Sequence, residues 1–244
     1  MNEFEPRSSG TGLQMIVLDA LGKRIARGEY PAGHILAPDS VGAEFGVSRS
    51  VTREAFRGLE ARGMIWARHK IGTAVRSARF WNLLDPDVIA WRTDSADGAK
   101  QMDELMELRE LIEPAIARRA AAELTSESIS ELEVCCDEMH ASVSSADVNL
   151  FIAADTRFHR VVRESTTSGV LTQLMKTIDA TLAARYSSSH RVFSELTAKS
   201  VERHRQIAQA YRRRDADQAA TLTLQLVREA RTELKHRGGS HHAM

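Results

Sequence analysis

From Lys100 onward, the sequence shows little but helical periodicity. Six successive stretches repeat apolar residues every three or four positions, and each stretch is bounded by Ser, Thr, Asp or Gly. Short connections of this kind favour antiparallel neighbours, so we predict an all-α antiparallel helical bundle over residues 100–236. The low aromatic content, 5% of the chain, and the recurrent Ala, Leu, Arg and Glu suit helices rather than sheets.

The first 76 residues follow a different pattern. Three short helical segments precede MIWARHKIGTAVR, in which apolar and polar residues alternate on both sides of a Lys70-Ile71-Gly72 turn, as in a β-hairpin. Three helices and a hairpin in this order are typical of a winged helix-turn-helix. We therefore predict a mainly α fold with four parts: a winged helix-turn-helix domain at 9–76, a connector at 77–99, an all-helical domain at 100–236 and a disordered tail at 237–244.

Charge is unevenly distributed along the 244 residues, although the formal net charge is zero. Residues 1–76 carry 11 basic against 8 acidic side chains, and residues 47–76 alone carry 7 against 2. A basic patch at one end of a neutral chain is the footprint expected of a small nucleic-acid-binding module, with chance clustering as the alternative.

Membrane and secretory classes are not favoured by the sequence. No apolar run approaches the length of a membrane span, and the N-terminal MNEFEPRSSG has no apolar signal segment. The two cysteines, Cys135 and Cys136, are adjacent and therefore poorly placed for a structural disulfide. We expect reduced thiols and a cytoplasmic protein.

The segment VSRSVTREAF, residues 47–56, predicts a DNA recognition helix. A helix fits the major groove, where arginine reads guanine and Ser or Thr can donate to bases or phosphates. The hairpin tip can reach the backbone or the minor groove, and glycine permits its tight turn. The predicted DNA-binding residues are Ser48, Arg49, Ser50, Thr52 and Arg53 on the helix, and His69, Lys70 and Gly72 on the hairpin.

A second pattern indicates a metal site. Asp155 and His159 in DTRFH are four residues apart, so they share one face of a helix. His204, about 45 residues further on, can supply a third ligand from another helix. Taken alone, these three residues are weak evidence for a metal, since a lone His204 is more often a satisfied or exposed histidine, and a metal-free polar pocket is the alternative.

The N-terminal segment resembles a known family. FGVSRSVTREAFRGLEARGMI, followed by HKIGTAVR, is similar to the winged helix of GntR-family bacterial transcription regulators over residues 13–76. The resemblance implies that Arg49 and Arg53 contact DNA and that His69 contacts it from the wing. It also has a departure, since Asp39 stands where family members often have a DNA-contacting arginine.

The C-terminal segments resemble the ligand-binding FCD domain of the FadR subfamily of these regulators. The similarity covers residues 100–236 and rests on LRELIEPAIARRAA, DTRFHRVV and ERHRQIAQAYRRRDADQAA. It implies that Asp155, His159 and His204 are three of four ligands to a divalent metal of the Zn, Ni or Mn class. The fourth ligand is expected at Leu226, so the metal would keep open positions.

The resemblance also implies a small carboxylate effector. Arg109 matches a ligand-facing arginine of the subfamily, and a guanidinium pairs well with a carboxylate. FWNLLDPDVIAW and the missing fourth histidine resemble the sugar-acid regulators of galactonate-operon type, so we predict an aldonate such as galactonate. Family members are homodimers on pseudo-palindromic double-stranded operators. Further residues that can line the same pocket, or simply be structural, are Arg185, Ser189 and His190.

The sequence therefore predicts a DNA-binding transcriptional regulator, acting as a repressor, and not an enzyme. The main rival interpretation is a metal-dependent, hydrolase-like enzyme built on the same three ligands. That interpretation lacks an evident general base and leaves the winged helix without a role. An activator and a DNA-binding protein that responds to no effector are also compatible with the sequence.

Overall fold

Ten α-helices and three short β-strands make up the part of the chain that the computed structural model describes, residues 9–68, 72–165, 168–187 and 195–239. Residues 1–98 and 99–244 form two compact units. The N-terminal unit contains α1 (Ser9–Ala26), β1 (Ile35–Leu36), α2 (Pro38–Phe45), α3 (Arg49–Ala61), β2 (Ile65–Arg68), β3 (Gly72–Val75) and α4 (Pro86–Arg92). The helices that follow are α5 (Gly98–Glu123), α6 (Ser126–Ser145), α7 (Val148–Glu164), α8 (Gly169–Ser187), α9 (Glu195–Arg212) and α10 (Ala216–Gly239).

The N-terminal unit is a winged helix-turn-helix, which confirms the predicted fold class. Its three strands form an antiparallel sheet in the order β1-β3-β2, with Trp66 of β2 and Ile35 of β1 both paired to Ala74 of β3. Helices α1 and α3 pack together, and α2 packs on α3. The buried core between helices and sheet includes Leu21, Leu59, Met64 and Ile65.

Local sequence determines where the two helices of the helix-turn-helix motif end and begin. Pro38 occupies the first turn of α2, where its missing N–H costs no hydrogen bond. Gly46 ends α2 in the left-handed conformation, with φ of 62°, which glycine adopts without steric cost. Ser48 then caps α3, its hydroxyl oxygen accepting a hydrogen bond from the Val51 N–H at 3.4 Å.

The segment predicted as a connector contains α4, which packs on α1 within the N-terminal unit. Asp85 caps α4 by accepting hydrogen bonds from two backbone N–H groups. Trp91 is buried against α1, and its indole Nε1 donates to Asp19 at 2.9 Å. Gly22 makes this approach possible, because a Cβ there would lie 2.4 Å from the Trp91 ring.

Helices α5–α10 form the C-terminal helical unit. Helix α6 packs on α7 and α9, α7 also packs on α8, and α9 packs on α10. Its core includes Leu132, Met139, Phe158, Ile178 and Tyr211, all fully buried. Helix α10 continues to Gly239, into the tail predicted at 237–244. Residues 240–244 lie outside the described part.

Both cysteines of α6 are buried free thiols, as the sequence indicates. Burial raises the pKa of the Cys136 thiol to about 12. Among the described helices, none combines the length and the apolar character needed to cross a membrane.

Candidate functional site

The leading turns of α3 present a polar and basic surface. Ser48, Arg49, Ser50 and Arg53 are exposed, as predicted for residues that meet DNA. Gly72 adopts a φ of 111° at the start of β3, a conformation that glycine tolerates and other residues rarely adopt. His69 and Lys70 lie outside the described residues.

Thr52 does not belong to this surface, and its predicted DNA contact is wrong. Its side chain is fully buried, and its Oγ1 donates to the Ser48 carbonyl oxygen at 3.3 Å. Thr52 shares one helical face with Ala55 and Leu59, so it faces the core and packs α3 against α2 near Gly42. The spacing of these positions in the sequence, three and four residues, already indicates that they share one face of the helix.

Arg49 is held by an acidic residue from the preceding helix. Its Nε lies 2.8 Å from Oδ1 of Asp39, and its Nη2 donates to Oδ2 at 3.3 Å. Both side chains are exposed, at 80% for Arg49 and 71% for Asp39. The same carboxylate that departs from the family pattern therefore contacts the main predicted base-reading arginine.

The three predicted metal ligands come together in the C-terminal unit. Asp155 and His159 lie on α7 and His204 on α9, and one ligand atom from each lies within 4.8 Å of the other two. Asp155 Oδ1 is 3.3 Å from His204 Nε2 and 3.9 Å from His159 Nε2. Asp155 and His204 are buried and His159 is partly buried, so the cluster is shielded from bulk water.

The donor set fits a divalent transition-metal ion. His204 Nδ1 lies 2.8 Å from the backbone oxygen of Ser200, which can only accept a hydrogen bond. In the neutral imidazole, Nδ1 then carries the hydrogen and Nε2 presents its lone pair toward Asp155. Two imidazoles and one carboxylate are donors that suit Zn, Ni or Mn.

The position at which the family resemblance places a fourth metal ligand is apolar. Leu226 on α10 is buried and lines a cavity together with His159, while the neighbouring Gln225 is exposed. The cavity has a volume of about 20 Å³, which is room for about one water molecule. Glu113, Tyr211 and Thr223 add polar groups to its otherwise apolar lining. Among the described residues, three ligands are therefore grouped at this site.

Arg109 on α5 is buried and ion-paired. Its Nε and Nη2 donate to the two carboxylate oxygens of Glu113, the second at 3.4 Å, and its Nη1 points to Met106 Sδ at 3.5 Å. Glu113 in turn lines the cavity. Glu113 is a functional residue beyond those predicted, and its position four residues after Arg109 is the sequence signal for a pair on one helix face. The side chain of Arg185 on α8, together with Ser189 and His190, lies outside the described part.

Comparison with known proteins finds a family match for each of the two units. Residues 14–75 match the bacterial regulatory proteins of the gntR family, and residues 104–229 match the FCD domain. The chain therefore belongs to the GntR family of bacterial regulators and carries an FCD domain, as the resemblance predicted. It is a transcriptional regulator of this type and not a metal-dependent enzyme.

Individual relatives extend over most of the chain. It is 31% identical over 220 residues to the galactonate operon transcriptional repressor of Escherichia coli (strain K12), covering 90% of this chain and 95% of that one. It is 28% identical over 211 residues to the transcriptional repressor NanR of Salmonella newport (strain SL254), covering 85% and 79%.

Solved structures share the fold. Lar, which controls the expression of the Listeria monocytogenes agr system, superposes with a TM-score of 0.63 at 19% identity, covering 96% of this chain and 99% of that one. E. coli McbR/YncC superposes with a TM-score of 0.55 at 15% identity, covering 92% and 98%. At these identities, the likeness supports the architecture alone.

Proposed function

We propose that this regulator is a repressor whose operator binding is controlled by a small sugar acid, bound together with a divalent metal in the C-terminal unit. The observation that carries the proposal is the buried cluster of Asp155, His159 and His204 beside an apolar fourth position. Three protein ligands leave coordination positions that exogenous oxygen atoms can fill.

In this proposal, different residues bind the metal and the carboxylate of the effector. Asp155, His159 and His204 would hold the metal, which supplies a Lewis-acidic centre for a carboxylate and an adjacent hydroxyl. Arg109 adds a guanidinium, whose planar fork matches a carboxylate. Its burial strengthens such a pairing, because little water competes for the charge. This combination favours a hydroxy acid over a neutral sugar.

The relative named for the galactonate operon supports an aldonate as the effector. The cavity of about 20 Å³ is much smaller than such an acid. We propose that binding moves apart the helices that line the cavity. A ligand that binds only the opened arrangement shifts the population toward it, and this is how effector binding can alter the affinity for DNA.

In the N-terminal unit, α3 would enter the major groove and place Arg49 and Arg53 against base edges or phosphates. We propose that the protein acts as a homodimer, so that two copies of α3 read a pseudo-palindromic operator. Because its partner is bacterial DNA, we place the protein in the cytoplasm.

Calorimetric titration of the full chain tests the effector proposal. Galactonate and other aldonates are titrated with and without Zn, Ni or Mn. A mobility-shift assay then measures whether the protein still binds its operator duplex. We expect aldonate binding that depends on metal and releases DNA. His204→Ala should abolish metal-dependent binding, whereas His140→Ala, at an exposed histidine of α6, should leave it unchanged. No binding of any aldonate, with or without metal, would refute the proposal.

A further inference from the structure

We propose that Asp39 determines base preference by fixing the orientation of the Arg49 guanidinium. The inference rests on the proposed role of α3 as the recognition helix and adds a residue that does not itself need to touch a base. Asp39 is a positioning residue in this role, since it acts through Arg49.

The contact is side-on. Asp39 lies in the first turn of α2 and Arg49 is the first residue of α3, so the turn between the two helices brings them together. The carboxylate engages Nε and Nη2 of Arg49 at 2.8 and 3.3 Å. A guanidinium has five N–H donors in a planar fork, and this pairing uses the edge nearest the backbone.

Within the part of the chain that the structure describes, the opposite edge of Arg49 has no hydrogen-bond or ion-pair partner. It consists of Nη1 and the outward hydrogen of Nη2, which match the O6 and N7 acceptors of guanine in the major groove. A guanidinium held on one edge presents the other in a defined direction, so less side-chain freedom is lost when DNA binds. Asp39 thereby favours one geometry, in which Arg49 reads guanine, over the many in which it contacts phosphate.

The negative charge of Asp39 also favours base-specific binding over binding to phosphates. A carboxylate on a DNA-facing surface repels phosphates, which weakens sequence-independent binding. An exposed ion pair of this kind contributes little to folding stability, so a stabilising role does not account for the pair. Removal of the carboxylate should therefore release Arg49 to contact phosphates and reduce the discrimination between guanine and other bases.

Selection from a pool of duplexes with randomised sequence tests this inference with the full chain. The proteins compared are the wild type, Asp39→Asn, Arg49→Ala and Glu54→Gln. Glu54 pairs with Arg57 on α3 at 2.5 Å, so its variant removes an exposed carboxylate of the same kind away from Arg49. Circular dichroism checks that each variant is folded.

We expect the wild type to select a guanine in each half-site and Arg49→Ala to lose that preference. Asp39→Asn should reduce the guanine enrichment at the same position about 10-fold, and Glu54→Gln should leave it unchanged. Undiminished guanine enrichment in Asp39→Asn overturns the inference, as does a change confined to a position that Arg49→Ala does not affect. If the wild type selects no sequence, the recognition role of α3 fails and the inference fails with it.

Discussion

The buried pair of Arg109 and Glu113 leads to a prediction that separates structural from ligand-binding roles. Glu113→Gln keeps the shape of the side chain and one oxygen acceptor, but it leaves the buried guanidinium without its compensating charge. Loss of one member of a buried ion pair costs about 3–5 kcal/mol, because the remaining charge stays desolvated. Since glutamine can still accept a hydrogen bond, we expect a loss near the lower limit, about 3 kcal/mol.

Urea unfolding measures this loss, and two signals distinguish the units. All three tryptophans, Trp66, Trp81 and Trp91, lie in the N-terminal unit, whereas most helical residues lie in the C-terminal unit. Fluorescence therefore follows the first unit and circular dichroism mainly follows the second. With an m-value of about 2 kcal/mol/M, the circular-dichroism midpoint should fall by about 1.5 M.

An exposed pair on the same helix provides the control. Glu104 lies 3.9 Å from Lys100, and both side chains are largely exposed. Glu104→Gln should therefore change stability by about 0–1 kcal/mol. Galactonate should stabilise Glu113→Gln more than the wild type, because its carboxylate supplies the charge that Arg109 has lost. A wild-type midpoint for Glu113→Gln would refute the structural role of the pair, and equal stabilisation of both proteins by galactonate would refute the ligand-binding role of Arg109.

Two further predictions concern packing and thiol chemistry. Gly22→Ala should destabilise the N-terminal unit by about 1–3 kcal/mol, because the new Cβ meets the Trp91 ring at 2.4 Å. Gly12→Ala on the same helix, where the added Cβ would meet nothing within 4 Å beyond its chain neighbours and its own helix backbone, should not destabilise the unit in fluorescence-monitored unfolding. Cys136, whose pKa burial raises to about 12, should resist iodoacetamide at pH 8.5 until the protein unfolds. Its contribution to stability should decline as pH rises from about 9 toward 12. Rapid alkylation of the native protein would contradict this account.

The sequence was sufficient for the architecture, and together with the family resemblance it also grouped Asp155, His159 and His204. Helical spacing, glycine at helix ends and Ser48 as a cap are local signals, and α3 begins within the segment 47–56 that predicts the recognition helix. Asp155 and His159 share a helix by spacing alone, whereas the approach of His204 came from family resemblance and is a tertiary contact.

Some features depend on contacts that sequence spacing does not determine. Thr52 lies among Arg and Ser positions in the sequence, but helical geometry turns it toward α2 and the core. The pairing of Asp39 with Arg49 depends on the angle between two helices. The small volume of the cavity is likewise a property of packing, since it depends on how side chains from several helices fill the space.

Leu226 has a consequence for how the regulator integrates signals. With an apolar side chain at the fourth position, the proposed site leaves coordination positions that the effector would take over from water. The two ligands then bind cooperatively, and thermodynamic reciprocity requires each to raise the affinity for the other by the same factor. A cell starved of the metal would therefore respond more weakly to the sugar acid, and one without the acid would load less metal. Full release from the operator would then require the metal and the sugar acid together.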